Sequence, residues 1–205
     1  MANNCVIFDL GNVIARWDYL GILQAIFPGQ NHQDLYLGMR CGWIDWNLGK
    51  VTEPELKDQY HQELSIPYEQ LDRMFDLVKS SHTLLPGSYE LLADLRQAGA
   101  QLYSITDNTK EIIAYHQKQS NFLHFFIDVV VSADVGVVKP DPALYLTLLQ
   151  RNKLQADQCV FIDDIEANIK GAQAVGISGI LFTSADQARA ALIEHGFLLG
   201  EDQSL

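Results

Sequence analysis

Five short stretches of the chain are almost continuous in apolar residues: Cys5–Phe8, Gln101–Thr106, Ile127–Ser132, Cys159–Asp163 and Gly179–Phe182. Runs of this kind, rich in Val and Ile, predict strands buried on both faces. Between the later ones the apolar spacing becomes helical. Pro86-Gly87-Ser88 opens a segment carrying Leu91, Leu92 and Leu95 that stops near Gly99. Thr109 is placed to cap a helix towards Gln119, Asp141-Pro142 opens another reaching about Arg151, and Asn168–Val175 forms a short one before Gly176. Alternating strand and helix predicts right-handed crossovers and a parallel sheet, an α/β fold.

From Arg16 to Ser81 the alternation breaks. No convincing strand is present, and several segments have helical spacing. Thr52-Glu53-Pro54-Glu55 fits a capping box with Pro in the first turn. Pro67 starts a further helix with Leu71, Met74, Phe75 and Val78 at helical spacing. Residues 16–81 therefore read as a small helical domain inserted after the first strand, with residues 1–15 and 82–205 forming the core domain. The insert holds Trp17, Tyr19, Trp43, Trp46, Tyr60 and Tyr68, most of them expected in its own core.

Of 205 residues, 48% are hydrophobic and 20% charged, an ordinary globular balance. The net charge of −12 argues against nucleic acid, which is bound by clustered Lys and Arg. The three cysteines, Cys5, Cys41 and Cys159, show no zinc-like spacing and read as reduced thiols. A first strand so close to the N-terminus leaves no room for a signal peptide, and no apolar run is long enough to span a membrane. A cytoplasmic protein with no membrane partner is expected, as a monomer or homodimer.

Two apolar runs end in carboxylates: Phe8 is followed by Asp9, and Ile162 by Asp163 and Asp164. At the carboxyl ends of parallel strands these side chains would converge on one crevice, where α/β sheets place their ligands. Clustered carboxylates repel and need a cation, and hard oxygen donors suit Mg²⁺.

Four blocks resemble, in order, the signature of the haloacid dehalogenase superfamily, whose members are mostly phosphatases. They are Phe8-Asp9-Leu10-Gly11-Asn12-Val13, Leu102–Asn108 with Thr106-Asp107-Asn108 at its end, Gly136-Val137-Val138-Lys139-Pro140-Asp141, and Phe161–Asp164 followed by Asn168. The resemblance implies a Rossmann-like core with a five-stranded parallel sheet and an inserted α-helical cap. It implies Asp9 as the nucleophile that forms an aspartyl-phosphate, and Mg²⁺ held by Asp9, Asp164 and the Gly11 carbonyl. Asp163 would act through a metal-bound water, with Asn168 orienting its neighbours. Thr106, Lys139 and the backbone N–H groups of Asp107 and Asn108 would grip the phosphoryl group.

One position departs from that pattern. Gly11 stands where family phosphatases usually carry an acid/base Asp. The same Phe-Asp-Leu-Gly-Asn-Val version occurs in a subgroup similar to sugar-phosphate phosphatases, including a glucose-1-phosphate phosphatase. Asp18 is a candidate replacement for the missing acid, with His32, His61 and His82 as others, and the alternative reading of Gly11 is that it serves only to permit a positive φ. The expected function is a Mg²⁺-dependent phosphatase acting on a small phosphorylated metabolite, sugar phosphates included. The alternatives are a 2-haloacid dehalogenase, disfavoured by Asp163-Asp164 and the lack of Tyr at position 11, and a non-catalytic phosphate-binding protein. Phosphonate cleavage would call for a cap lysine such as Lys50 or Lys57.

Overall fold

A computed structural model describes residues 4–119 and 122–197 of the chain. Residues 1–3, 120–121 and 198–205, assigned above to the core domain, lie outside the described residues. The elements run β1 (Cys5–Phe8), α1 (Tyr19–Ile26), α2 (His32–Asn47), α3 (Glu53–Leu64), α4 (Tyr68–Ser80), α5 (Ser88–Gln97), β2 (Gln101–Thr106), α6 (Lys110–Gln119), β3 (Asp128–Val131), α7 (Ser132–Val135), α8 (Pro142–Asn152), β4 (Cys159–Asp163), α9 (Glu166–Ala174), β5 (Ser178–Leu181) and α10 (Ala185–Glu194).

The five strands form one sheet in the order β3-β2-β1-β4-β5, and every neighbouring pair is parallel. Alternate residues of the central strands serve opposite cores. Val6, Phe8, Val160 and Ile162 pack on one face, while Cys5, Ile7, Cys159 and Phe161 pack on the other. Burial on both faces is what made these runs continuously apolar. Phe8 is in register with both Ser104 and Ile162, and the Asp9 N–H donates to the Ile162 carbonyl at 2.9 Å. The strand ends are therefore nearly flush, which brings Asp9, Thr106 and Asp163 to one edge. Cys5 and Cys159 are buried neighbours in register, and Cys41 is exposed; all three are free thiols.

Helices α1 to α4 build a separate core around Leu23, Met39, Trp46, Leu56, Tyr60 and Phe75. The Thr52 capping box forms as expected, with Glu55 reaching back to the Thr52 N–H. Leu71, Met74, Phe75 and Val78 make the buried stripe of α4. The chain enters and leaves this insert on paired segments: the Arg16 N–H donates to the Thr83 carbonyl at 2.8 Å, and the Leu85 N–H to Ile14 at 2.9 Å.

Differences from the sequence reading are small. β3 starts after Ile127 and stops at Val131, because Ser132 begins the short α7. β5 lies one residue earlier than expected. α9 opens at Glu166, ahead of Asn168. α10 was not expected: its buried face is made of Ala185, Ala188 and Leu192, too small and sparse for a visible stripe. No helix among the described residues is long and apolar enough to cross a membrane.

The insert is fastened to the core at α6. Ile112 packs into the insert's apolar cluster. Beside it, Glu111 accepts hydrogen bonds from the Trp46 indole N–H and the Glu53 backbone N–H, each at 3.1 Å. A second contact joins Ser132 to the Asn47 carbonyl at 2.7 Å. Gly49, at φ 67°, lies against the Ala133 carbonyl, where a Cβ would collide. Glu111→Ala would strand two partly buried donors. It should lower stability by about 1–3 kcal/mol in urea unfolding, with Glu111→Gln recovering part of the loss. An unchanged midpoint for Glu111→Ala would show that these bonds do not hold the insert.

Candidate active site at the carboxyl edge of the sheet

The three central strand ends deliver the chemical groups. Asp9 follows β1, Thr106 closes β2, and Asp163 closes β4 with Asp164 next to it. Oxygens of Asp9, Asp163 and Asp164 lie within 4.8 Å of one another. Like charges this close are unstable unless a cation compensates them. The protein supplies one in Lys139, whose Nζ stands 2.8 Å from Asp9 Oδ1 and 2.7 Å from Asp163 Oδ2. Lys139 is buried, and its backbone N–H is anchored on Asp107 Oδ1 at 2.9 Å.

The two central carboxylates differ in their surroundings. Asp163 is fully buried, and besides Lys139 it accepts from Asn168 Nδ2 at 3.0 and 3.1 Å and from the Ile165 N–H at 2.8 Å. Its oxygens are held by protein donors. In Asp9, Oδ1 takes both the Leu10 N–H at 2.7 Å and Lys139, which leaves Oδ2 for an incoming group. Burial pushes the Asp9 carboxyl up to about 7; Lys139 pulls against this rise and Asp163 adds to it. Burial also raises Asp164 and Asp107. For Lys139 burial favours the neutral amine, but Asp9, Asp163 and Asp107 outweigh it and hold the ammonium above its ordinary value.

Asp9, Lys139 and Asp164 line the floor of a cavity of about 230 Å³, whereas Asp163 is fully buried and reaches it only through Lys139. Gly11, Asp107, Asn108 and Asn168 also border it, so the expected site residues are brought together with one exception. Asp18 does not line the cavity. It is exposed and caps α1, accepting from the Gly21 N–H at 2.8 Å. Of the histidines weighed, His32 bonds the Phe27 carbonyl at 2.9 Å and His61 the Ile66 carbonyl at 2.8 Å. Only His82 of the three borders the cavity, and burial holds its imidazole below the ordinary range. Lys50 and Lys57 are paired with Asp45 and with Glu53 and Asp72, away from the cavity.

Several features were not visible beforehand. The positive φ in the first loop belongs to Asn12, at 54°, and not to Gly11. A Cβ at Gly11 would meet only Trp17 Cβ, at an ordinary 3.8 Å. Ser132 was read only as a strand end, yet it accepts from the Asn108 N–H at 2.9 Å, so that amide is already engaged. A lone hydroxyl closing a run of valines was the only signal for it. Trp17 and Trp43, expected in the insert's core, are half-buried and border the cavity with Asn47 and His82.

A family model described as a haloacid dehalogenase-like hydrolase matches residues 4–176. The chain is similar to Phosphatase MT3486 of Mycobacterium tuberculosis, 28% identical over 98% of this chain and 96% of the relative. It is also similar to a flavin mononucleotide hydrolase of Arabidopsis thaliana, 27% identical over 93% of this chain and 77% of the relative. Among solved structures, the haloacid dehalogenase family enzyme bt-2542 of Bacteroides thetaiotaomicron superposes with a TM-score of 0.78 at 18% identity, covering 94% of this chain and 99% of that one. The same enzyme in a complex with magnesium and inorganic phosphate gives 0.72 at 20% identity, over 88% and 94% of the two chains.

Asp163→Asn would place an amide against three donors and break a buried ion pair. It should cost about 3 kcal/mol in chemical denaturation. The Asp9 shift has its own signature. A carboxyl raised in the folded state favours folding at low pH, and that contribution is lost as pH rises through about 7. In the presence of chelator, Asp9→Asn should therefore narrow the gap in melting temperature between acidic and alkaline buffer. A gap as wide as in the unmodified protein would contradict the raised value.

Proposed function

Because the chain belongs to the haloacid dehalogenase-like hydrolase family, and is a hydrolase of the phosphatase type, we propose that it is a Mg²⁺-dependent phosphatase that hydrolyses a small phosphate monoester through an aspartyl-phosphate on Asp9. The observation that carries this reading is Lys139, which bridges Asp9 and Asp163 while one Asp9 oxygen stays open to the cavity. In this reading residues 1–15 and 82–205 are the core domain, and residues 16–81 are a cap that covers the site and limits water.

Asp9 Oδ2 attacks phosphorus, and the bond to the leaving oxygen breaks. Thr106 and the Asp107 N–H bind the phosphoryl oxygens, and Lys139 neutralises charge that grows in the transition state. Water then attacks the same phosphorus, releasing phosphate and restoring Asp9. The donor set suits the metal: three carboxylates against a single ammonium leave an excess of hard oxygen charge. Asp9, Asp164 and the Gly11 carbonyl would hold Mg²⁺, with Asp163 turned towards Lys139. Bound there, Mg²⁺ would neutralise phosphoryl charge. Carbon–halogen hydrolysis has no use for this acidic cluster. The activities named for similar proteins, flavin mononucleotide hydrolysis and phosphoglycolate phosphatase (31% identical over 63% of this chain), support a small phosphate ester as substrate.

Asp9→Asn should abolish turnover and acid-stable labelling by a phosphate donor; turnover that survives would refute the nucleophile. Mg²⁺ should raise the melting temperature of the unmodified protein, and Asp164→Asn should lose that rise. An equal rise in both would take Asp164 out of the metal site. Lys139→Ala should reduce kcat by roughly 10²-fold or more.

Gly11 produces a further expectation. With no acid there, the leaving oxygen must depart close to an anion, so rates should climb steeply as the leaving group becomes more acidic. Gly11 lies outside the positive-φ region and has room for a Cβ, so Gly11→Asp should fold and speed poor leaving groups most. General acid catalysis contributes roughly 10²–10⁴-fold, which sets the size of the possible gain. Equal effects on good and poor leaving groups would show that another residue already donates the proton.

A further inference from the structure

The cavity has a charged floor and an aromatic wall. The floor is Asp9, Thr106, Lys139 and Asp164; the wall, contributed by the insert and the segment that returns from it, is Trp17, Trp43 and His82. The wall is a stack. Trp17 lies 5.6 Å from Trp43 at 27° between planes, and 5.1 Å from His82 at 15°. It is also braced from behind. Trp43 meets fully buried Trp46 edge-on, at 5.1 Å and 86°, and Trp46 is tied to the core through Glu111. Side chains fixed in this way hold their positions without a ligand.

The wall begins beside the position of the absent acid, since a Cβ at Gly11 would stand 3.8 Å from Trp17 Cβ. A leaving group bonded to a phosphoryl on Asp9 thus emerges along the Trp17 side of the cavity. Apart from the floor, the phosphate-gripping groups and Asn168, the polar side chains bordering the cavity are Asn12, Asn47 and His82, too few for the hydroxyls of a sugar. A volume of about 230 Å³ accommodates the phosphoryl and one ring.

From this geometry we propose that the leaving group is a single planar aromatic ring joined directly to the bridging oxygen, so that the substrate class is an aryl phosphomonoester. The inference rests on the phosphatase reading and adds the identity of the leaving group. Asp9 Oδ2 bonds to phosphorus as the phosphorus–aryl oxygen bond breaks. The electron pair departs on a phenolate, whose ring delocalises the charge that no acid neutralises, and solvent then protonates it. Water supplies the oxygen that displaces Asp9, its proton passing to solvent. Contact of the ring with the indole edges that border the cavity supports binding.

The test separates ring shape from leaving-group acidity. Phenyl phosphate is compared with hexafluoroisopropyl phosphate, whose aliphatic alcohol is about as acidic as phenol, and with α-glucose 1-phosphate, all with Mg²⁺. Phenyl phosphate should have the highest kcat/KM, its advantage over the fluorinated ester lying mainly in KM. Trp17→Leu and Trp43→Leu should each raise KM for phenyl phosphate roughly 3- to 10-fold more than for the fluorinated ester, with kcat altered less. Equal kcat/KM for the phenyl and fluorinated esters, or preference for the sugar phosphate, would overturn the proposal, as would Trp variants that weaken all three alike. Absence of turnover with every ester would remove the phosphatase reading and this inference with it; turnover without ring preference would remove the inference alone.

Discussion

Three carboxylates whose oxygens lie within 4.8 Å of one another, largely shielded from water, cannot all stay ionised without a cation among them. Lys139 meets that requirement from the loop before α8, one ammonium contacting two of the three. Much else at the sheet edge follows from keeping it there. Asp107 accepts from its backbone N–H, and Phe161 lies beneath its ammonium, 5.8 Å from ring centroid to Nζ. Asn168 and the Ile165 N–H hold Asp163 in the orientation that receives it. One positive charge among three carboxylates still leaves the site net negative, and this is why a divalent cation belongs to the account.

The same arrangement separates two neighbouring aspartates into different tasks. Asp163 is enclosed by donors and serves Lys139, whereas Asp164 is half-buried and faces the cavity. Adjacent residues at a strand end point to opposite sides of the backbone, so one consecutive pair can serve both the ion pair and the cavity.

The strands were legible because burial on both sheet faces leaves an uninterrupted apolar run. β1, β2 and β4 came out with the expected bounds, and these three carry the site. Helix α2 was harder to see, because Gly38 and Gly42 interrupt it and its buried positions, Met39, Gly42 and Trp46, are few. Asp9, Lys139 and Asp164 stood out since each follows a strand-like run or precedes a proline turn. Ser132 and the cavity-lining places of Trp17 and Trp43 did not. Their place depends on how the insert leans on α6, through Glu111 and Ile112, and no local pattern encodes that. Gly11 borders the cavity, but its suspected backbone role belongs to Asn12.

The central claim is that Asp9 attacks phosphorus, so that two displacements occur there for every turnover. The stereochemical course tests this most directly, with a phosphate ester made chiral at phosphorus by oxygen isotopes and sulfur, hydrolysed in isotopically labelled water. Two in-line displacements invert the centre twice, and the account predicts net retention of configuration. Net inversion would mean that water attacks the substrate directly and that Asp9 never carries the phosphoryl group.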